Sequence, residues 1–245
     1  LADLNSQLAT VRSSAAGLAG AWAGAFATHQ LIQFADTWNQ LNGRLRLASS
    51  SSEDYVQSQR VLMEISQRTG TSLEANSNLY SRIAQSLRDA GYASADVAKV
   101  TETVATSLKL SGASTEEASS VITQLSQALG SGVLRGEEFN SIMENGGRLA
   151  KLLADGLGTT VGGLRNMANN GELTPNKIVP LLTNVEILRK EFDTLPASIS
   201  GSAQKVQNGF LAWVGGANDA VGASSTLSGV LDGLANNIDD VANTA

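Results

Sequence analysis

The residues of this chain that could do chemistry are few and poorly grouped. The densest charged cluster is Leu134-Arg135-Gly136-Glu137-Glu138-Phe139. Paired carboxylates can serve as general acid and base, but neighbours along a helix point to different faces, so Glu137 and Glu138 cannot form such a dyad by themselves. At the start of a helix the same acids complement the positive end of the dipole, and Phe139 becomes the core anchor. The one histidine, His29, stands in the apolar run AGAFATHQLIQF, which predicts a packed or surface side chain rather than the base of a triad. The chain has no cysteine, which excludes disulfides, thiolate zinc sites, iron–sulfur clusters and a cysteine nucleophile. The Gly-rich stretches GSGVLRG and GLGTTVGG lack the Gly-Lys-Ser/Thr of a phosphate loop, and no strand precedes either. These residues predict no catalytic centre, no cofactor and no metal site.

Nucleic-acid binding has one candidate. Leu149 to Gly171 has the spacing of a helix-turn-helix, with Leu149, Leu152, Leu157, Val161, Leu164 and Met167 as its core and Gly158 in the turn. Its second helix would offer a major groove only Arg165, Asn166, Asn169 and Asn170. Seven basic and eight acidic residues lie between Arg135 and Asp193, and the whole chain carries a net charge of -6. A phosphate-binding surface needs the opposite balance. Past Lys205 no basic residue follows, while Asp219, Asp232, Asp239 and Asp240 do. The charge favours a structural helix pair over a DNA reader.

The elements that must position these residues are helical. A chain of 245 residues has room for one large or two small domains, and its three prolines, at 175, 180 and 196, leave most of it free to form helix. Ser52 before Glu53 and Asp54 predicts a helix start, and Gly70 its end. Thr71 or Ser72 opens the next helix, which runs to about Gly91, and Ser94 caps ADVAKVTETVATSLKL with Val97, Val100, Val104 and Leu108 on one face. Ser114-Thr-Glu-Glu117 has the pattern of a capping box and opens a helix striped by Val121, Leu125 and Leu129. Shorter helices follow Gly132, one starting with Pro175 at its first position, and Pro180 should kink or shift that last run. The expected fold is therefore all-α: an antiparallel stack of medium helices with Val56, Leu62, Leu79, Ile83, Val97, Val104, Val121 and Leu125 in its core, then several short helices.

Both ends are rich in Ala and Gly. Each carries a Gly-x-x-x-Gly, Gly20 to Gly24 and Gly229 to Gly233, a spacing that permits close backbone approach between helices. From Ser13 to Ala35 no Lys, Arg, Asp or Glu occurs, but the small and polar content is wrong for a membrane span. Beginning at Leu1 and ending in VANTA, the sequence reads as a piece of a longer parent. Its expected organisation is an Ala/Gly-rich lead-in over 1–52, a helical core domain over 53–196 and a small-residue helical segment over 197–245.

Three stretches together resemble a known family. They are Gly130-Ser-Gly-Val-Leu-Arg-Gly-Glu-Glu-Phe-Asn-Ser-Ile-Met-Glu144, then Arg148-Leu-Ala with Leu153-Ala-Asp-Gly-Leu-Gly158, then Leu164-Arg-Asn-Met-Ala-Asn-Asn-Gly-Glu-Leu-Thr174. This succession is similar to the N-terminal tape-measure domain of bacteriophage tail tape measure proteins. Leu41-Asn-Gly-Arg-Leu-Arg-Leu47 upstream, and Leu195-Pro-Ala-Ser-Ile-Ser200, Val206-Gln-Asn-Gly-Phe210 and Trp213-Val-Gly215 downstream, extend the likeness over roughly residues 30 to 216. It departs at Gly146-Gly147, where the family commonly has proline, and at Ala197-Ser198, where a basic residue and threonine are usual.

The resemblance implies an architectural role and brings no catalytic residue. Such proteins fill the lumen of the tail tube, set its length during assembly by their own largely helical length, and leave when DNA is ejected. It implies as partners tail tube subunits, tail assembly chaperones, tail tip proteins and further copies of the chain, with no small-molecule substrate, no sequence-specific nucleic acid and a membrane only at ejection. The implied location is the tube lumen of the virion, and the host cytoplasm during assembly. Carried over as family-motif residues, structural or partner-contacting, are Leu134, Arg135, Gly136, Glu137, Glu138, Phe139, Arg148, Gly156, Gly158, Leu164 and Gly171. The competing reading is a helical adaptor or DNA-associated regulator built on the Leu149–Gly171 pair.

Overall fold

A computed structural model describes residues 28–195 and 199–214. Both Gly-x-x-x-Gly pairs and most of the uncharged Ser13–Ala35 run lie outside the described residues. Within them the chain forms eleven helices and no strand. They are α1 (Thr28–Ala48), α2 (Ser52–Thr69), α3 (Leu73–Asp89), α4 (Ser94–Leu110), α5 (Thr115–Ser131), α6 (Gly136–Asn145), α7 (Gly147–Gly156), α8 (Val161–Asn169), α9 (Pro175–Leu182), α10 (Glu186–Phe192) and α11 (Ile199–Val214).

Local chemistry sets most of these boundaries. The Ser114 hydroxyl accepts from the Glu117 amide while the Glu117 carboxylate accepts from the Ser114 amide, the reciprocal pair that relieves two orphan donors of α5. Ser72 caps α3 through the Ala75 amide, and Pro175 takes the first position of α9, where its missing N–H costs nothing. Gly70 and Gly132 close α2 and α5 in the left-handed region, at φ 64° and 89°, which other residues reach only with strain. Two starts differ from expectation by one residue. The cap of α2 is Ser51, whose hydroxyl accepts from Asp54, and Ser94 is already inside α4, where its hydroxyl instead donates to the Asp54 carboxylate at 3.1 Å. Pro180 lies inside α9, and the run breaks three residues later at Thr183–Val185.

Turns of three or four residues join α1 to α5, and among these helices the main pairings between elements not adjacent in the chain are α1 with α3, α3 with α5 and α2 with α4. Short turns reverse the chain, so these helices stack in two layers, α1, α3 and α5 in one and α2 and α4 in the other. The core holds Leu62, Leu79, Ile83, Val97, Val104, Val121 and Leu125 as expected, each 3% exposed or less. Val56 is the exception at 42% exposed: the buried face of α2 passes instead through Ser58, Leu62, Ile65 and Thr69.

Helix α4 departs further from the single-face expectation. All eight residues from Thr101 to Leu108 are buried, because α2, α3, α5, α7, α9 and α10 all pack on it. A helix apolar on one side only would leave its other sides unfit for such a place, and α4 meets the demand with small hydroxyl residues, Thr101, Thr103, Thr106 and Ser107. The Thr101 hydroxyl returns to the Val97 carbonyl at 3.0 Å. Among the described residues no helix is long and apolar enough to cross a membrane.

Candidate functional site

The first and third motif stretches meet in space. Helix α5 ends at Gly132, and the chain turns so that the Leu134 amide donates to the Leu173 carbonyl at 2.8 Å, with both side chains buried. Across this contact the third stretch makes its own reversal: Gly171 adopts φ 70°, and the Glu172 amide reaches the Met167 carbonyl at 2.8 Å. A Cβ on Gly171 would lie 3.9 Å from Val133, so space allows a side chain there and only the left-handed backbone demands glycine.

From this loop pair α6 begins. Arg135 is extended and exposed and offers no side-chain cap, and Gly136 turns through φ 61° to start the helix. Glu137 is exposed and Glu138 half-buried, both in the first turn, where their charge faces the unpaired amides. Phe139 and Ile142 then enter the core. The two carboxylates thus stand in the first turn of a helix, the position the sequence predicts for them.

The remaining motif residues organise other joints. Gly158 turns at φ 64° between α7 and α8, the Thr159 amide closing on the Ala154 carbonyl, and Leu149 and Leu164 are fully buried on either side. Val161, expected in the core of this helix pair, is 36% exposed because the inward face of α8 runs through Leu164, Met167 and Ala168. Gly156 lets α7 approach α9: a Cβ there would sit 2.7 Å from Leu181. Gly146 is also crowded, a Cβ meeting the Ile142 carbonyl at 2.9 Å and Leu108 at 3.2 Å.

Arg148 lies apart from the loop pair. It forks onto Glu191 with Nε and Nη2 each 2.6 Å from a carboxylate oxygen, and its amide donates to the Ser111 hydroxyl. The hydrogen bonds hold the Glu191 carboxyl below its ordinary pKa and Arg148 above its own. The joint ties α7 to α10.

Two joints were not apparent from the sequence. Glu102, 5% exposed on α4, accepts a fork from Arg189 of α10, both contacts 2.7 Å, and an ion pair from Arg68 of α2. Burial first, and then the charge of Arg189, lower the pKa of Arg68. A carboxylate alone between Lys99 and Lys109 in an otherwise uncharged stretch was the one available hint. The second is Asn208 of α11, whose amide group donates to the Thr71 carbonyl at 2.8 Å and accepts from the Leu73 amide at 3.0 Å. No group of three or more His, Cys, Asp or Glu able to hold a metal ion occurs among the described residues. A cleft of about 360 Å³ runs between the end of α3 and the start of α9, past Tyr92 and Asn176.

Loop pairs, glycine turns and forked ion pairs that all join helix to helix define an all-helical structural module. The chain belongs to the tape measure protein family, whose model matches residues 29–219. The family is structural, and it places the chain in the tail of a phage virion among other tail components. No curated protein and no solved structure matches the chain.

Proposed function

We propose that this chain is the folded N-terminal part of a tail tape measure that occupies the lumen of the tail tube, sets tail length during assembly and is released at genome ejection. The observation that supports this reading is the family match across residues 29–219. In it, residues 1–52 lead into a core of 53–196 and residues 197–245 lead out towards a longer parent. The tube subunits, assembly chaperones, tip proteins and other copies of the chain are the partners, met in the host cytoplasm and then in the virion, with a membrane reached only at ejection.

The motif residues serve this role by shape. Leu134, Phe139, Leu164 and the turns at Gly136, Gly158 and Gly171 build the loop pair and the short helices behind it, Gly156 lets α7 and α9 approach, and Arg148 locks α7 to α10. Arg135 and Glu137, beside the loop pair, carry the exposed side chains of the group and are the ones open to a partner. Quantitative mass spectrometry of purified virions tests the reading. Peptides from residues 29–219 should be present in intact particles and depleted once ejection has been triggered. Their absence from virions, or an unchanged amount afterwards, would refute it.

A further inference from the structure

The first and last described helices meet at one corner of the module. Phe34, near the start of α1, meets Phe210, near the end of α11, edge to face with ring centres 5.3 Å apart. Six residues of helix, about 9 Å, separate Phe34 from the first described residue, and four, about 6 Å, separate Phe210 from the last before the exit. Tension applied at Thr28 and Val214 therefore arrives at this contact before it reaches the core.

The two helices at the corner are held unequally. Helix α1 buries Trp38, Leu41, Leu45 and Ala48 along a continuous stripe. Asn42 accepts from Gln59, Arg44 donates to Asn78, and the Ala48 carbonyl accepts from Arg88. Helix α11 packs mainly on α1 and α2 and is held at separate points along its length. Gly201 lies so close to the α2–α3 turn that a Cβ on Gly70 would be 2.9 Å from its Cα. Gln67 donates to the Lys205 carbonyl, Asn208 clasps the backbone of Thr71 and Leu73, and Leu211 and Ala212 are buried in the last turns. Pulled at its C-terminal end, α11 meets these holds one after another. Beyond it, α10 is fastened by the forks of Arg189 on Glu102 and Arg148 on Glu191.

From this arrangement we infer that the module opens under tension by peeling α11 first, with Asn208 as the latch, while α1 to α10 stay folded behind the two arginine forks. The inference rests on the tape measure reading only for the source of the tension, a chain drawn out lengthwise. The latch follows from the geometry alone.

Single-molecule force spectroscopy on the 245-residue chain, with handles at its two ends, tests it. The expected trace has a first, low-force step releasing residues 195–214, at most about 70 Å of contour, before the remainder unfolds. Because the chain has no cysteine, Arg60→Cys/Asn140→Cys handles on two exposed sites give a second direction of pull that does not load α11, and the first step should then vanish. Asn208→Ala should lower the force of the first step and leave the later one unchanged. Unfolding in one step from the ends, or the same first step from both pairs of handles, would overturn the inference. The two directions of pull decide the matter even if Asn208→Ala folds poorly. Neither result bears on whether the chain sets tail length, which is read from virions.

Discussion

Replacing Glu102 by alanine tests how the central helix is held. The carboxylate is 6% exposed in its side chain and is shared by Arg68 and Arg189, themselves 37% and 36% exposed. Glu102→Ala removes the acceptor for both and leaves two guanidinium groups facing each other where α2, α4 and α10 meet. Breaking a buried ion pair from one side costs about 3–5 kcal/mol, chiefly from the charge left without a partner. Here both arginines keep about a third of their surface in water and Arg189 keeps its ion pair with Glu186 at 2.9 Å, which places the expected loss at the low end of that range, about 3 kcal/mol. Urea denaturation followed by circular dichroism at 222 nm should show the midpoint falling with little change in slope, since the surface exposed on unfolding is the same. Replacing the whole group by apolar residues, as Glu102→Leu with Arg68→Met and Arg189→Met, should recover most of the loss, because no charge then remains to be desolvated. A loss below about 0.5 kcal/mol for Glu102→Ala, the usual range of surface changes, would refute the reasoning. So would a triple variant no more stable than the single one.

Leu125→Ala, at a side chain 1% exposed, should cost about 2–5 kcal/mol by the same assay. Gly136→Ala, with φ at 61° and the added methyl meeting only the Glu138 carboxylate at an ordinary 3.7 Å, should lose about 1–2 kcal/mol through backbone strain. The module should also weaken in acid. Hydrogen bonds from Arg148 hold the Glu191 carboxyl below its ordinary 4.5. Burial pushes Asp54 up, yet bonds from Ser50 and Ser94 and the charge of Arg88 leave it below 3.8. Groups lowered in the folded state stabilise it fully above those ordinary values and lose the contribution as pH falls through the folded ones, so denaturation midpoints should be level from pH 7 to 5 and drop towards pH 3. Glu191→Gln with Asp54→Asn should flatten that drop. Glu137→Gln/Glu138→Gln, which changes charge at an exposed helix start, should leave tails of normal length wherever the chain still folds.

What could be read from the sequence is what is decided within a few residues. The Ser114 capping box, Pro175 and the glycines ending α2 and α5 fix their own backbone regardless of what packs on them, and the stripes of α3 and α5 follow from 3.6-residue periodicity. Val56 was misplaced because α2 turns towards the core a face of mixed polarity, including Ser58 and Thr69, which hydropathy alone does not select. The all-round burial of α4 from Thr101 to Leu108 and the ion group at Glu102 depend on α10, 87 residues away in the chain for Arg189, and no local pattern encodes that meeting. The loop pair lies between these cases. Its residues were recognisable as motifs, but that Leu134 bonds to Leu173 emerges only when α5 to α9 have packed.

The central claim is that length in the tail follows length in the chain, and tail measurement by electron microscopy tests it most directly. An in-frame deletion in the helical part of the full reading frame, outside residues 29–219, should shorten tails by about 1.5 Å per residue removed, the rise of an α-helix, so that 60 residues shorten them by about 90 Å. Tails of unchanged length in particles carrying the deleted protein would contradict the account.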